Sequence, residues 1–455
     1  MPSSSSASRL ARVAAAALVL GACQVRTTPR VTGVVIVTLD TTRADRLPAY
    51  GFGGVDTPAL DSLARRGVVF ERAMSVAPLT LPAHASLFTG VYPPRHGVRD
   101  NADALSAARP TLASLLRAHG FRTAASVGSI VLTADRGLGR GFDAYCDDIG
   151  RTSEGRLRAQ RPGNEVMDDA LAWLKTVGHQ PFFLWVHLYD VHQPYAPPEP
   201  YGTRYREMPY LGEIAFADEQ IGRLLRALDS HALTDRTAVV VAGDHGESLG
   251  DHGEEAHGLF IYESVLHVPL IVSAPGIRPR RVAAPVSSVD LTPTVLELTG
   301  IEAGDMDGIS LRRLLIAGGA ASERSIYAES MFPRRFGWSP LRAVRDGRFK
   351  FIDAPRPELY DLDADPEEQE NLIAGRPAIA AALAAKLGPD TGVAHRAAID
   401  PSVGQRLASL GYVAPALAAP PHTSASGRAD DPKDHVEGYN QTMRKQACHA
   451  RCAPQ

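Results

Sequence analysis

The chain is poor in the features that would tie it together covalently or hold it in a bilayer. It has 4 cysteines in 455 residues, Cys23, Cys146, Cys448 and Cys452, too few and too scattered for a disulfide framework. Cys448, His449 and Cys452 crowd three donors onto a terminal segment, one short of a closed structural metal site. No apolar run approaches the roughly 20 residues that a spanning helix needs. Neither sign of charge is in excess, the formal net charge being −3. No stripe of lysine and arginine with interleaved aromatic residues runs along the chain, which excludes nucleic acid as a partner.

What is present is length and apolar content. With 455 residues and 44% hydrophobic residues, the chain can fill the core of one large domain and a smaller one. At the N-terminus, Arg9 and Arg12 precede the short apolar run Val13 to Leu20 and then Gly21-Ala22-Cys23. That order reads as a signal segment over 1–23. Its end resembles a bacterial lipoprotein cleavage box, with Cys23 lipidated and 24–30 as a tether. The expectation is an exported lipoprotein of the bacterial cell envelope, touching the membrane only through that anchor.

Val31 to Leu39 is an unbroken, β-branched run that ends in Asp40, the pattern of a strand buried on both faces of a parallel sheet. Similar runs cover Phe182 to Leu188, Thr237 to Ala242 and Val268 to Ser273, with helix-like stretches at Thr111 to His119, Asn164 to Val177 and Gly212 to Leu228. This alternation predicts an α/β fold with a doubly wound mixed sheet over 31–320. Asp40, Asp190 and Gly243-Asp244-His245 stand at strand ends, where open α/β sheets bind ligands. Asp290, before Leu291-Thr292-Pro293, reads as a helix cap. Short alternating segments from Ser325 predict a small antiparallel α+β subdomain over 321–413. The Ala/Pro/Ser-rich stretch beyond it predicts a disordered tail over 414–455.

The chemistry lies in segments of fixed order. They are Asp40-Thr41-Thr42-Arg43-Ala44-Asp45, Thr80-Leu81-Pro82-Ala83-His84 with Thr89-Gly90, His96 to Asn101, Asp190-Val191-His192-Gln193-Pro194, Asp244-His245-Gly246-Glu247, and His257-Gly258. Together they resemble the sulfatase family of the alkaline phosphatase superfamily, over roughly Val31 to Leu372. That family's signature begins with a cysteine or serine that becomes formylglycine. Here the position holds Thr80, a secondary alcohol from which formylglycine cannot be made. Other branches of the superfamily use threonine itself as a metal-activated nucleophile, because a hydroxyl needs a metal or a base to react at neutral pH.

The resemblance makes Asp40, Asp244 and His245 metal ligands, with Thr80 completing the set. The imidazole favours zinc, with manganese or calcium as alternatives. His192 and His257, with Asp190 nearby, either hold a second metal about 3.5–4 Å from the first or act as hydrogen-bond donors and general acid. Asn101 matches a donor to a non-bridging oxygen of the transition state. His84, at the place of the signature arginine, orients Thr80 or meets the substrate. Arg43 lies near the anion or braces Asp45, and His252 reads as an exposed loop residue. The expected activity is hydrolysis of small-molecule, glycan or lipid esters of phosphate or sulfate through a covalent threonine intermediate. Transfer of a phospho-group to a surface glycan or lipid is one alternative, and a non-catalytic anionic-glycan binder is another.

Overall fold

A computed structural model describes residues 31–151, 158, 160–318, 324–390 and 429–452. The signal segment, Cys23 and the tether lie outside them. Eight strands make the main sheet: β1 (Gly33–Leu39), β2 (Val68–Phe70), β4 (Arg122–Val127), β5 (Ala144–Cys146), β6 (Phe182–Leu188), β7 (Thr237–Gly243), β9 (Leu270–Ser273) and β10 (Arg280–Val282). Their order is β10-β2-β9-β7-β1-β6-β4-β5. β1 lies parallel between β6 and β7, whereas β9 runs antiparallel to its neighbours β7 and β2. The sheet is therefore mixed, as expected from the sequence.

The pleat sorts the apolar residues. Val34, Ile36, Phe183, Trp185, Ala238 and Val240 face one core, together with the helices Thr80–Thr89 and Leu291–Thr299. Val35, Val37, Leu39, Leu184, Val186, Val239 and Val241 face the other, under Pro58–Arg66, Gly163–Leu174 and Pro209–Ser230. Period-two alternation with both faces covered explains why these strands read as continuous apolar runs. Register places Leu39 opposite both Leu188 and Gly243. Asp40 and Asp244 therefore leave the sheet at one level.

The two-residue strands β3 (Ala73–Met74), β8 (His267–Val268) and β11 (Val286–Ser287) form a small second sheet. Beyond it, β12 (Ser325–Ser330), β13 (Leu341–Asp346), β14 (Phe349–Asp353) and β15 (Glu358–Asp361) make an antiparallel sheet in chain order. The helix Pro377–Leu387 packs on it through Ala380 and Leu383. No helix among the described residues is long and apolar enough to cross a membrane.

The expectation of disorder to the C-terminus is corrected in its second half. Pro432–Asp434 is a 3-10 turn and Val436–Cys452 a helix, with Asp431, Tyr439 and Asn440 buried. The Asp431 side chain accepts from Lys433 N and so starts the turn. An acidic cap followed by proline is a start signal that outweighs the composition before it.

Candidate active site

The strand ends supply the acids and a helix supplies the hydroxyl. Thr80 is the first residue of Thr80–Thr89, with Leu79 in extended backbone before it. It is fully buried, as are Asp40 and His245. Thr80 Oγ1 donates to Asp40 Oδ2 at 3.3 Å and lies 3.4 Å from His245 Nε2. His245 Nε2 is in turn 3.7 Å from Asp244 Oδ2. One donor atom from each of Asp40, Asp244 and His245 falls within 4.8 Å of the others, and among the described residues no second group of three such donors occurs.

These residues fit a cation. Asp40 Oδ1 and Asp244 Oδ2 are buried with no hydrogen-bond partner, an expensive arrangement for carboxylates unless a positive charge meets them. Burial pushes both carboxyls up. His257 opposes the rise at Asp40, and Asp40 adds to it at Asp244. His245 donates Nδ1–H to Gly246 O at 2.9 Å, so the Nε2 lone pair faces Thr80. Burial, with His257 close by, holds His245 well below its ordinary value and neutral. Asp40, Asp244 and His245 are thus the side chains that would hold the metal, with Thr80 beside it.

His192 and His257 come to the same place. The His257 ring is 4.6 Å from that of His245 and 5.1 Å from that of His192, centroid to centroid. His192 bonds Gln193 O through Nδ1 at 2.6 Å, and burial, then His257, pushes it well down. His257 Nδ1 is 3.0 Å from Glu247 Oε1. Burial pulls His257 down, but the Glu247 charge and hydrogen bond override it and raise it to about 9. Asn101 Oδ1 accepts from Leu81 N at 2.9 Å, which leaves its Nδ2 buried and unpartnered.

His84 lies beneath Thr80. Its Nδ1–H donates to Thr80 O at 2.7 Å and its Nε2 is 3.0 Å from Thr38 Oγ1. It is fully buried, packed against the backbone of Thr80. Arg43 braces Asp45 and Asp251 and the carbonyls of Glu247 and Ser248. His252 stacks on Tyr262, 3.6 Å between centroids, outside the site. Asp290 accepts from Ser287 N and Ile309 N and pairs with Arg324, a structural role.

Asp190, read as an additional ligand, lies outside the Asp40, Asp244 and His245 group, although its Oδ2 is buried without a partner. Its Oδ1 accepts from Gly163 N at 2.8 Å, at the start of Gly163–Leu174. A Cβ at 163 would come within 2.4 Å of Asp190 Oδ2, so the glycine lets the carboxylate sit against the helix end.

Two residues of the site went unassigned from sequence. Glu247 holds His257, and its other oxygen accepts from Tyr195 Oη at 3.0 Å. His187, on β6, places Nδ1 2.9 Å from Thr38 Oγ1 and Nε2 3.3 Å from Asp40 Oδ2. A histidine inside an apolar strand run is the anomaly that marks it.

Comparison with known proteins identifies the family and the fold. The family model described as Sulfatase matches residues 32–301. The chain belongs to the sulfatase family. A second model, N-sulphoglucosamine sulphohydrolase, C-terminal, matches 250–388. Among curated sulfatase relatives, a choline-sulfatase of Rhizobium meliloti is 26% identical over 429 residues, 74% of this chain and 82% of the relative. An ulvan-active sulfatase of Formosa agariphila is 27% identical over 403 residues, 77% of this chain and 78% of the relative. The fold is shared with a phosphonate monoester hydrolase of Agrobacterium radiobacter, TM-score 0.67 and 24% identity over 78% of this chain and 94% of that one. It is shared too with a protein solved with its substrate D-glucosamine-2-N,6-O-disulfate, TM-score 0.68 and 21% identity over 80% of this chain and 99% of that one. As a sulfatase-family member the chain is a hydrolase of the sulfuric or phosphoric ester class.

Proposed function

We propose that the chain hydrolyses phosphate or sulfate esters with Thr80 itself as nucleophile, phosphate esters being preferred. The observation that carries this reading is the Thr80 hydroxyl, buried at a helix start 3.3 Å from Asp40 and 3.4 Å from His245. The preference for phosphorus follows from the threonine. A sulfated formylglycine hydrate can shed its group by elimination, whereas a threonine ester lacks the second oxygen on the same carbon. Both steps must then proceed by attack at the central atom.

In the first step Thr80 gives up its proton on the Asp40 side, and Oγ1 attacks phosphorus in line. The new O–P bond forms as the bond to the leaving oxygen breaks. Asn101 Nδ2 donates to a non-bridging oxygen, and the first turn of Thr80–Thr89 presents its positive end to the developing charge. His257, braced by Glu247 at 3.0 Å, delivers a proton to the leaving oxygen. In the second step His257 takes a proton from the attacking water, and the O–P bond to Thr80 breaks as Oγ1 regains its proton from the Asp40 side. A divalent cation, zinc by the mixed carboxylate and imidazole donors, would lower the pKa of the Thr80 hydroxyl and offset charge on the transferred group. The lipid anchor read at Cys23 would carry this activity to the cell envelope.

The test is turnover of aryl phosphate mono- and diesters and aryl sulfates by wild type and Thr80→Ala. Loss of at least about a thousandfold is expected on removing the nucleophile, with a phosphorylated or sulfated Thr80 peptide trapped from the wild type. Full activity in Thr80→Ala overturns the mechanism.

A further inference from the structure

The matched regions end at residue 388, yet the chain returns to the site beyond them. The turn Phe332–Phe336 bridges its two sides. Ser330 Oγ donates to Gly258 O, next to His257, and Arg335 Nε donates to Asp100 Oδ2 at 2.6 Å, next to Asn101. Tyr439 packs edge-on against both ends of this turn, 6.1 Å from the Phe332 ring and 5.6 Å from Phe336. The Tyr439 residue is 7% exposed. Its hydroxyl makes no hydrogen bond among the described residues, while Glu254, Glu247 and Arg335 lie within electrostatic reach. Among the described residues it serves no protein group.

The next residue grips the loop that carries His257. Asn440 Nδ2 donates to Gly253 O at 2.7 Å, and its Oδ1 accepts from Glu255 N at 3.3 Å. Arg444 Nε adds a hydrogen bond to the Glu255 carboxylate at 2.9 Å. The gripped loop is conformationally costly, because Leu249 and His252 adopt positive φ of 52° and 54°, where side chains are disfavoured. An external clamp holds what local preference would not.

We infer that residues 429–445 form a wall of the active site, in which Asn440 positions the His257 loop and Tyr439 donates a hydrogen bond to the alcohol part of the ester. The inference rests on the reading of Thr80 and His257 above. The alcohol that fits carries further hydroxyls, as a sugar does, since it must offer an acceptor beyond the transferred group. Phe336 stacks on Trp338 at 4.7 Å, and His435 covers the other face of Trp338 at 4.7 Å, so the rings behind Tyr439 hold it in place. Burial and the nearby glutamates push the Tyr439 phenol up, so it remains a donor.

Two variants of the full chain decide it. Tyr439→Phe keeps both ring contacts. It is expected to lower kcat/KM about three- to tenfold, the range of one net hydrogen bond, on a hexose phosphate or hexose sulfate, and to leave the phenyl ester of the same acid unchanged. Equal loss on both esters, or on neither, overturns the Tyr439 assignment. Asn440→Ala is expected to speed amide exchange at Glu255 and its neighbours to His257 and to lower kcat more than it raises KM, with Asn440→Asp restoring part of the Glu255 protection. Unchanged exchange overturns the clamp. A wild type inactive on every ester would sink the reaction reading, and the wall would then be judged by exchange alone.

Discussion

At the scale of single residues, the site turns on one methyl group and one imidazole. Thr80 keeps the hydroxyl of a serine but adds a branch that fixes χ1, and His84 fixes its carbonyl from below. Thr80→Ser should therefore retain turnover within about tenfold, since the hydroxyl survives and only preorganisation is lost, whereas Thr80→Val should be as dead as Thr80→Ala. Steady-state kinetics of the three variants on one aryl ester separates these outcomes. His245 presents the borderline nitrogen donor beside two hard carboxylates. His245→Ala should reduce the transition metal recovered with the protein to well below one equivalent, read by elemental analysis after gel filtration. Calcium alone in the wild type would overturn the zinc assignment.

Asp40, Asp244 and His245 were legible in the sequence because motif and strand end coincide and register delivers both acids to one level, whereas Thr80, at a helix start, was legible by motif alone. Glu247 stood in plain view in the Asp244-His245-Gly246-Glu247 segment, but nothing in a string says that it meets His257 ten residues on. Asp190 shows the opposite failure. It occupies a strand end as Asp40 and Asp244 do, yet its Oδ1 accepts from the Gly163 amide and it stays outside the three-donor group, which only the three-dimensional path of that helix reveals.

At the scale of elements, continuous apolar runs announced β1, β6 and β7 because both sheet faces are covered. The two-residue strands β3, β8 and β11 carry no such periodicity, being paired by tertiary contact alone. The helix Pro209–Ser230 shows how a polar residue is accommodated in such a core. Glu213 lies on its buried face, 4% exposed, and accepts from Ala196 N at 2.7 Å. Burial pushes its carboxyl from 4.5 up to about 8, against the pull of the Ala196 amide and with the Asp190 charge adding to the rise. With the folded value raised, the folded state binds the proton more tightly. The stability it gains is complete below about pH 4.5 and is lost as pH climbs through about 8. Glu213→Gln keeps an acceptor for Ala196 without the ionisation. Its melting temperature should match the wild type near pH 4.5 and exceed it increasingly toward pH 8. Parallel curves would show that Glu213 does not titrate across this range.

At the scale of the whole molecule, the question is what fixes the C-terminal sheet to the domain that carries Thr80. Lys350, in β14, is completely buried. Its Nζ lies 3.0 Å from Glu263 Oε1 and 2.9 Å from Glu368 Oε1, while Arg345 of β13 adds a contact to Glu263 at 3.4 Å. Glu263 belongs to the catalytic domain, six residues beyond His257, and its backbone N–H donates to Glu368. One ammonium therefore joins β14, the loop after β15 and the segment leading from His257. Burial pushes Glu263 up, but Lys350 and Arg345 outweigh it and hold the carboxyl low. Removing the ammonium alone strands buried Glu368 and leaves Glu263 only the Arg345 contact, which costs about 3–5 kcal/mol. Lys350→Met should lose that much in urea unfolding and expose the β14 amides to exchange. Neutralising the carboxylates as well, in Lys350→Met with Glu263→Gln and Glu368→Gln, should recover most of the stability, because the penalty comes from uncompensated charge and not from lost attraction. A triple variant as unstable as the single one would mean that the ion cluster is itself a net source of cohesion between the two sheets.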